Sequence, residues 1–321
     1  MTKNLKALCI SFAFALAGPA AAQSYPSQPI RLIAPFPPGG SVDITARLIA
    51  EPLGRELGQR IVIENRTGAS GNIGMDAAAR AAPDGYTIVL NTIPLVTNQS
   101  LFEKLTWDAM RDFAPIGMVA TSPHVLVVPA KVPVNSVAEL VQLARSRPGK
   151  LSYASAGVGT TFHLCGEMFK DSTGTFILHV PYRGGGPALL DTLAAQVDMS
   201  FPTMSAALPH IKAGTLRALA VTDTTRSSLL PDVPTLREAG VKDFQFTQWL
   251  ALLAPAKTPP AVVNRLNAAL KNALDTPEVK DKFQSQAFEA FITTPDEARK
   301  YLAEEVQRFS KLIKARGITA N

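Results

Sequence analysis

The chain has 321 residues, of which 46% are hydrophobic, and a formal net charge of +6. That length and apolar content suffice for two domains of ordinary size, each with its own core. The basic residues are scattered and form no Lys/Arg run of the kind that tracks a nucleic-acid backbone, so no nucleic-acid partner is expected.

The N-terminus reads as an export signal. Lys3 and Lys6 precede an apolar stretch, ALCISFAFALA, that is too short to span a bilayer. Gly18 and Pro19 break it, and three alanines end at Ala22, after which cleavage is expected. Cys9 lies inside the apolar stretch, not after it, so it is no lipoprotein cysteine. Removal of residues 1–22 takes away two lysines and lowers the charge to +4. It also leaves Cys165 as the only cysteine, which excludes an internal disulfide. The expected location is the periplasm.

Beyond Gln23, short β-rich runs alternate with amphipathic ones. Residues 30–34 (IRLIA) read as a strand, residues 35–40 as a loop, and a helix begins near Ser41, with Pro52 ending or kinking it. A strand at 61–64, the turn-rich NRTGASGN, an alanine-rich helix to Ala82, the turn at Pro83-Asp84-Gly85 and a strand at 86–90 complete a β-α-β-α-β unit. Such alternation predicts a parallel sheet with helices on both faces. A second α/β series runs from a strand at 151–154 to another at 216–221. Two apolar extended segments, roughly 116–128 and 246–255, flank it and could cross between the units. At the C-terminus, Thr258 is placed to cap a helix opening with Pro259 and Pro260, and Thr294 with Glu297 reads as a capping box.

Two loops occupy equivalent places after the first strand of each unit. PFPPGGSVD (residues 35–43) is stiffened by three prolines, and Gly39 and Gly40 permit close backbone approach. Ser41 can cap the helix that follows, whose free N–H groups form an anion site. SAGVGTTFH (residues 155–163) offers two glycines, two threonine hydroxyls and a second helix start. Each loop taken alone serves equally as a tight connection. The alternative reading makes Ser41 no more than a cap, Asp43 a first-turn acid, and His163 a core residue. YRGGGP (residues 182–187) is a third candidate, with Arg183 able to meet an anion or to remain solvated. Thr92 and Thr203, each just past a strand, are placed at the same rim by topology.

No catalytic or cofactor pattern is present. The four histidines lack metal-ligand spacing, no phosphate loop or nucleophile elbow occurs, and Gly157-Val158-Gly159 lacks the third glycine of a dinucleotide fingerprint. Neither a metal nor a cofactor is expected, and no enzymatic activity.

In this order, PFPPGGSVDITAR, IVIENRTGASGNIG, AAPDGYTIVL, SAGVGTTFHLCGEMF and VPYRGGGPALLDTLAAQVDMSF resemble the Bug family, extracytoplasmic receptors of tripartite tricarboxylate transporters. The resemblance spans essentially the whole mature chain. It implies the type II periplasmic-binding fold: two α/β domains joined by two crossover segments. Domain 1 is then discontinuous (23–121 and 247–321), and domain 2 comprises 122–246. The implied ligand is a small organic carboxylate, bound by Gly39, Gly40, Ser41 and Asp43 from one loop and Ala156, Gly157, Gly159, Thr160 and Thr161 from the other. Thr92, Tyr182 and Thr203 complete the expected contacts. The partner is a membrane transporter, and the receptor is expected to be a monomer. A co-receptor for a membrane sensor, a cleft enzyme and a scavenger without a transporter are the competing readings.

Overall fold

A computed structural model describes residues 25–319, so the expected signal peptide (1–22) lies outside the described residues. The chain forms β1 (Ile30–Ala34), α1 (Ser41–Leu57), β2 (Ile61–Asn65), α2 (Asn72–Ala79), β3 (Thr87–Asn91) and α3 (Pro94–Leu101). The long β4 (Phe113–Pro123) then runs, with only His124 intervening, into β5 (Val125–Pro129). Next come α4 (Val137–Ser146), β6 (Ser152–Ser155), α5 (Thr161–Thr173), β7 (Leu178–Pro181), α6 (Gly185–Leu193), β8 (Met199–Ser200), α7 (Met204–Lys212) and β9 (Leu216–Val221). The chain returns through β10 (Thr247–Pro255) and ends with α8 (Pro260–Asp275), α9 (Pro277–Ser285), β11 (Glu289–Ala290) and α10 (Pro295–Ala315).

These strands make two sheets. The first has the order β11-β4-β10-β3-β1-β2 and the second β7-β6-β8-β5-β9. The β1, β2 and β3 ladders are parallel, as βαβ alternation requires, with Ile30 opposite Ile61 and Arg31 opposite Thr87. The expectation of a parallel sheet fails beyond β3. There β10 enters antiparallel to both β3 and β4, because it returns from the other lobe in the opposite sense. The second sheet is mixed for the same reason: β5 runs antiparallel to β8 and β9.

Burial explains which residues build which layer. All five residues of β3 are buried, since both faces of this strand are covered. One face of β1 (Ile30, Leu32, Ala34) packs on Val42, Ala46, Ile49 and Leu53 of α1. The other face belongs to a core that continues without a break through Leu126, Tyr153, Phe201 and Phe246 of the second lobe and takes in Leu302, Phe309 and Ile313 of α10. The apolar stripe of α10 is what fixes this helix there; truncating a fully buried ring such as Phe309 to alanine costs about 3–5 kcal/mol. The capping box at its start is present, with Thr294 and Glu297 each accepting the other's N–H.

Three local expectations are corrected. Of the two outcomes expected at Pro52, an end to the helix is excluded: α1 continues through it to Leu57, where Gly58 in the left-handed conformation closes it. Gly40 is its N-cap, and Ser41 is the first helical residue, not the cap. Thr258 does not cap α8. Pro259 holds that position, because two successive prolines delay the helix by one residue, and the Thr258 hydroxyl is left without a partner.

Candidate functional site

The two glycine loops face one another across the gap between the sheets. In the first, Gly39 adopts φ +85°, a conformation that favours glycine, and this turns its N–H onto the Asp43 carboxylate at 3.1 Å. Asp43 is buried, and it also accepts two bonds from Arg47 and one from Asn65, each 2.9–3.0 Å. Burial pulls its carboxyl upward, but these hydrogen bonds outweigh that and hold it below the usual carboxylate range. Asp43 therefore clamps its own loop, and its charge is already satisfied by Arg47. The first-turn N–H groups of α1 have no intrahelical acceptor and open toward the gap.

The second loop is held by neutral groups. Ser155 Oγ accepts the Gly157 N–H at 3.1 Å and lies 2.6 Å from His179 Nε2. The Thr160 hydroxyl donates to the Gly157 carbonyl at 2.6 Å, so it serves the loop and not the N-cap of α5. His163 Nδ1 accepts the Gly159 N–H at 3.1 Å, which assigns the neutral tautomer protonated at Nε2. The His163 and His179 rings stack at 4.2 Å, and His179 stacks on Tyr153. Burial pushes His163 down to about 4 against the raising influence of Glu167. Burial followed by the neighbouring His163 takes His179 to about 3. Both rings are neutral at ordinary pH. His163 is thus a core residue that shapes the loop from behind.

The lobes touch through these loops. The Thr97 hydroxyl of α3 reaches across to the Gly159 carbonyl at 2.8 Å. Gly184 and Gly186, just before and within the first turn of α6, lie so close to the first loop that an added Cβ would come within 2.5 Å of Pro37 and 2.9 Å of the Pro38 carbonyl. The YRGGGP glycines thus let two backbones meet, whereas Arg183 is exposed.

Between the lobes lies a cavity of about 30 Å³, the scale of a few water molecules. Of the expected residues, Gly40, Ser41, Thr92, Ala156, Thr160 and Thr161 line it. Gly39, Asp43 and Gly159 do not; they brace the two loops behind it. Gly157 and Tyr182 lie on an adjoining outer cleft of about 270 Å³, and Thr203 lies at the start of α7, its hydroxyl 3.1 Å from that of Ser205. The remaining walls, Phe36, Val42, Pro94, Phe162, Gly185 and Gln248, were not singled out from the sequence. Among the described residues, none that lines it carries an ionisable side chain. A larger depression of about 760 Å³ lies along α1 and β2, but it includes neither loop.

Comparison with known proteins gives this architecture its place. A family model described as "Tripartite tricarboxylate transporter family receptor" matches residues 45–318. Protein BugT of Bordetella pertussis is 39% identical over 320 residues, covering 99% of this chain and 98% of that protein. An R. palustris protein solved with adipate superposes with a TM-score of 0.90 at 35% identity, covering 92% of this chain and 99% of the other. MatC from Rhodopseudomonas palustris, solved with malate, does so at 0.84 and 30%, covering 90% and 100%. The two-lobed α/β architecture and the sequence agree: the chain belongs to the tripartite tricarboxylate transporter receptor family.

Proposed function

We propose that this chain is a periplasmic solute-binding receptor that captures a small carboxylate between its lobes and delivers it, chemically unchanged, to a membrane transporter. The observation that carries the reading is the convergence of two helix starts, those of α1 and α5, on one cavity whose lining has no charged side chain. Each helix start presents free N–H groups and roughly +0.5 of a charge, which together can hold one carboxylate without a basic residue. Relatives solved with adipate and malate support this ligand class.

Gly40, Ser41, Ala156, Thr160 and Thr161 are assigned to the carboxylate and Thr92 to the rest of the ligand. Gly39, Asp43, Gly157 and Gly159 hold the loops, and Tyr182 and Thr203 stand at the rim. The lobes divide as 23–121 with 247–321, and 122–246. The receptor acts as a monomer after cleavage near Ala22. A cavity of about 30 Å³ is too small for a ligand to enter without separation of the lobes, so capture proceeds by hinge motion at the crossovers.

The test is mass spectrometry of small molecules released by denaturing protein purified without added carboxylates, followed by titration of the refolded protein. One equivalent of an unchanged carboxylate is expected, with affinity falling about tenfold in Thr160→Ala, whose substitution frees the Gly157 carbonyl. A protein that titrates with no mono-, di- or tricarboxylate, or that returns a product, would overturn the reading.

A further inference from the structure

Gln248 sits on β10, where the second crossover enters the first sheet, opposite Ser122 of β4. It is 1% exposed and lines the cavity, yet its Nε2 has no hydrogen-bond partner. A buried amide donor left unpaired is destabilising, and native chains keep few of them. The groups around it are committed elsewhere: the Ser122 hydroxyl to the Pro123 carbonyl at 3.4 Å, and the Thr92 hydroxyl to the Trp249 carbonyl. Asn91 and His124 also have unpartnered side-chain nitrogens, but neither lines the cavity. Gln248 is therefore an unused donor facing the candidate ligand space from the hinge side, on a strand and outside both glycine loops.

We infer that Gln248 donates its Nε2–H to a second oxygen of the ligand, beyond the carboxylate held by the helix starts, and so selects oxygenated acids over their deoxy counterparts. This rests on the carboxylate-capture reading. Because no charged side chain lines the cavity, a second ionised group placed there would be desolvated without a counter-charge. The second oxygen is thus a neutral hydroxyl or keto group on a short acid. A site built to pair such an oxygen rejects the analogue lacking it, because its own donor is then left unsatisfied.

The experiment titrates full-length mature protein with three matched pairs of monocarboxylates: lactate and propionate, 3-hydroxybutyrate and butyrate, glycolate and acetate. In at least one pair the hydroxy acid binds about tenfold or more tightly than its deoxy partner, the fold-change expected of one hydrogen bond in a buried site. In Gln248→Met that ratio falls to about one, while the deoxy acid keeps its affinity within about twofold. The thermal midpoint of the unliganded variant rises, because an apolar chain of similar shape replaces an unpaired amide. A purely structural glutamine would lower it. Gln248→Asn keeps the amide but shortens its reach, and it too loses the ratio. Equal binding of both members in wild type, or a ratio that survives in both variants, overturns the assignment of Gln248 and leaves carboxylate capture standing. No binding of any of the six acids overturns the assignment of Gln248 to a short oxygenated acid, and carboxylate capture is then decided by the wider titration with mono-, di- and tricarboxylates.

Discussion

The two cavity-lining loops occupy equivalent places, yet they are held in opposite ways. Loop 35–43 is self-contained: the ionised carboxylate of Asp43 gathers the Gly39 N–H, Arg47 and Asn65, all from the same lobe. Loop 155–163 is fastened by uncharged partners, His163, His179 and Ser155, and by Thr97 from the opposite lobe. The side-chain bonds of the first loop all come from its own lobe, although Pro37 and Pro38 also meet the backbone of Gly184 and Gly186. The geometry of the other depends on closure and on two imidazoles remaining neutral. The lesson is that equivalent backbone roles do not require equivalent chemistry behind them.

The largest expected effect separates the two glycines. Gly159 has φ +77° and packs so that an added Cβ would lie 2.6 Å from Leu101 of the other lobe, whereas Gly39 has φ +85° with nothing within 4 Å. Gly159→Ala should cost about 2–4 kcal/mol in the closed form, from backbone strain plus overpacking, and should widen the lobes in small-angle scattering. Gly39→Ala should cost only the strain, about 1–2 kcal/mol by chemical denaturation, with no change in lobe separation. Equal losses would break the contrast between the loops.

The second effect is pH dependence. For His163 and His179 the folded-state values, about 4 and about 3, lie below the ordinary 6.5, so the unfolded chain takes up protons first as pH falls. Stability is full above about 6.5 and declines as pH drops from there toward the folded values, by at most about 1.4 kcal/mol per pH unit for each ring. Asp43 behaves in the reverse way. Its contribution is present above the unfolded value of 3.8 and is lost only as pH falls through its lowered folded value. Urea denaturation at pH 7.5 and pH 5 should therefore show a loss that His163→Gln reduces, while Asp43 contributes nothing to it.

The smallest effect sharpens the reading of the first loop. Because Gly40, not Ser41, caps α1, Ser41→Ala should change stability by less than about 0.5 kcal/mol. Ser136 does cap α4 by accepting the Glu139 N–H at 3.1 Å, so Ser136→Ala should cost about 1 kcal/mol in the same assay. A cost at Ser41 equal to that at Ser136 would return Ser41 to a capping role.

Much of the site was legible because its signals are local. PFPPGGSVD and SAGVGTTFH announce a turn followed by a helix start, and both loops line the cavity where the strands' carboxyl ends point. What was missed depends on distant parts of the chain. Gln248 looks like any polar residue in a strand until β10 is threaded between β3 and β4, and Thr97 and Leu101 meet Gly159 only because the lobes touch. Of the YRGGGP glycines, Gly185 lines the cavity, but the close approach of Gly184 and Gly186 to Pro37 and Pro38 comes from the opposite lobe and has no signature in their own neighbourhood. The antiparallel entry of β10 has the same origin, since periodicity reveals that a strand exists and not which neighbours it will find.

The position of β10 also sets an order of assembly. The five strands of the second sheet lie between Val125 and Val221, so that sheet can be completed as soon as this stretch of chain is available. The first sheet cannot: β10 separates β3 from β4, and until Pro255 has been synthesised both strands lack the neighbour that lies between them. Closing that ladder brings together segments more than 150 residues apart, a slow step on grounds of chain entropy alone. The lobe that is begun first is therefore finished last, and its β3 and β4 each keep an open edge while the polypeptide up to β10 is still being made.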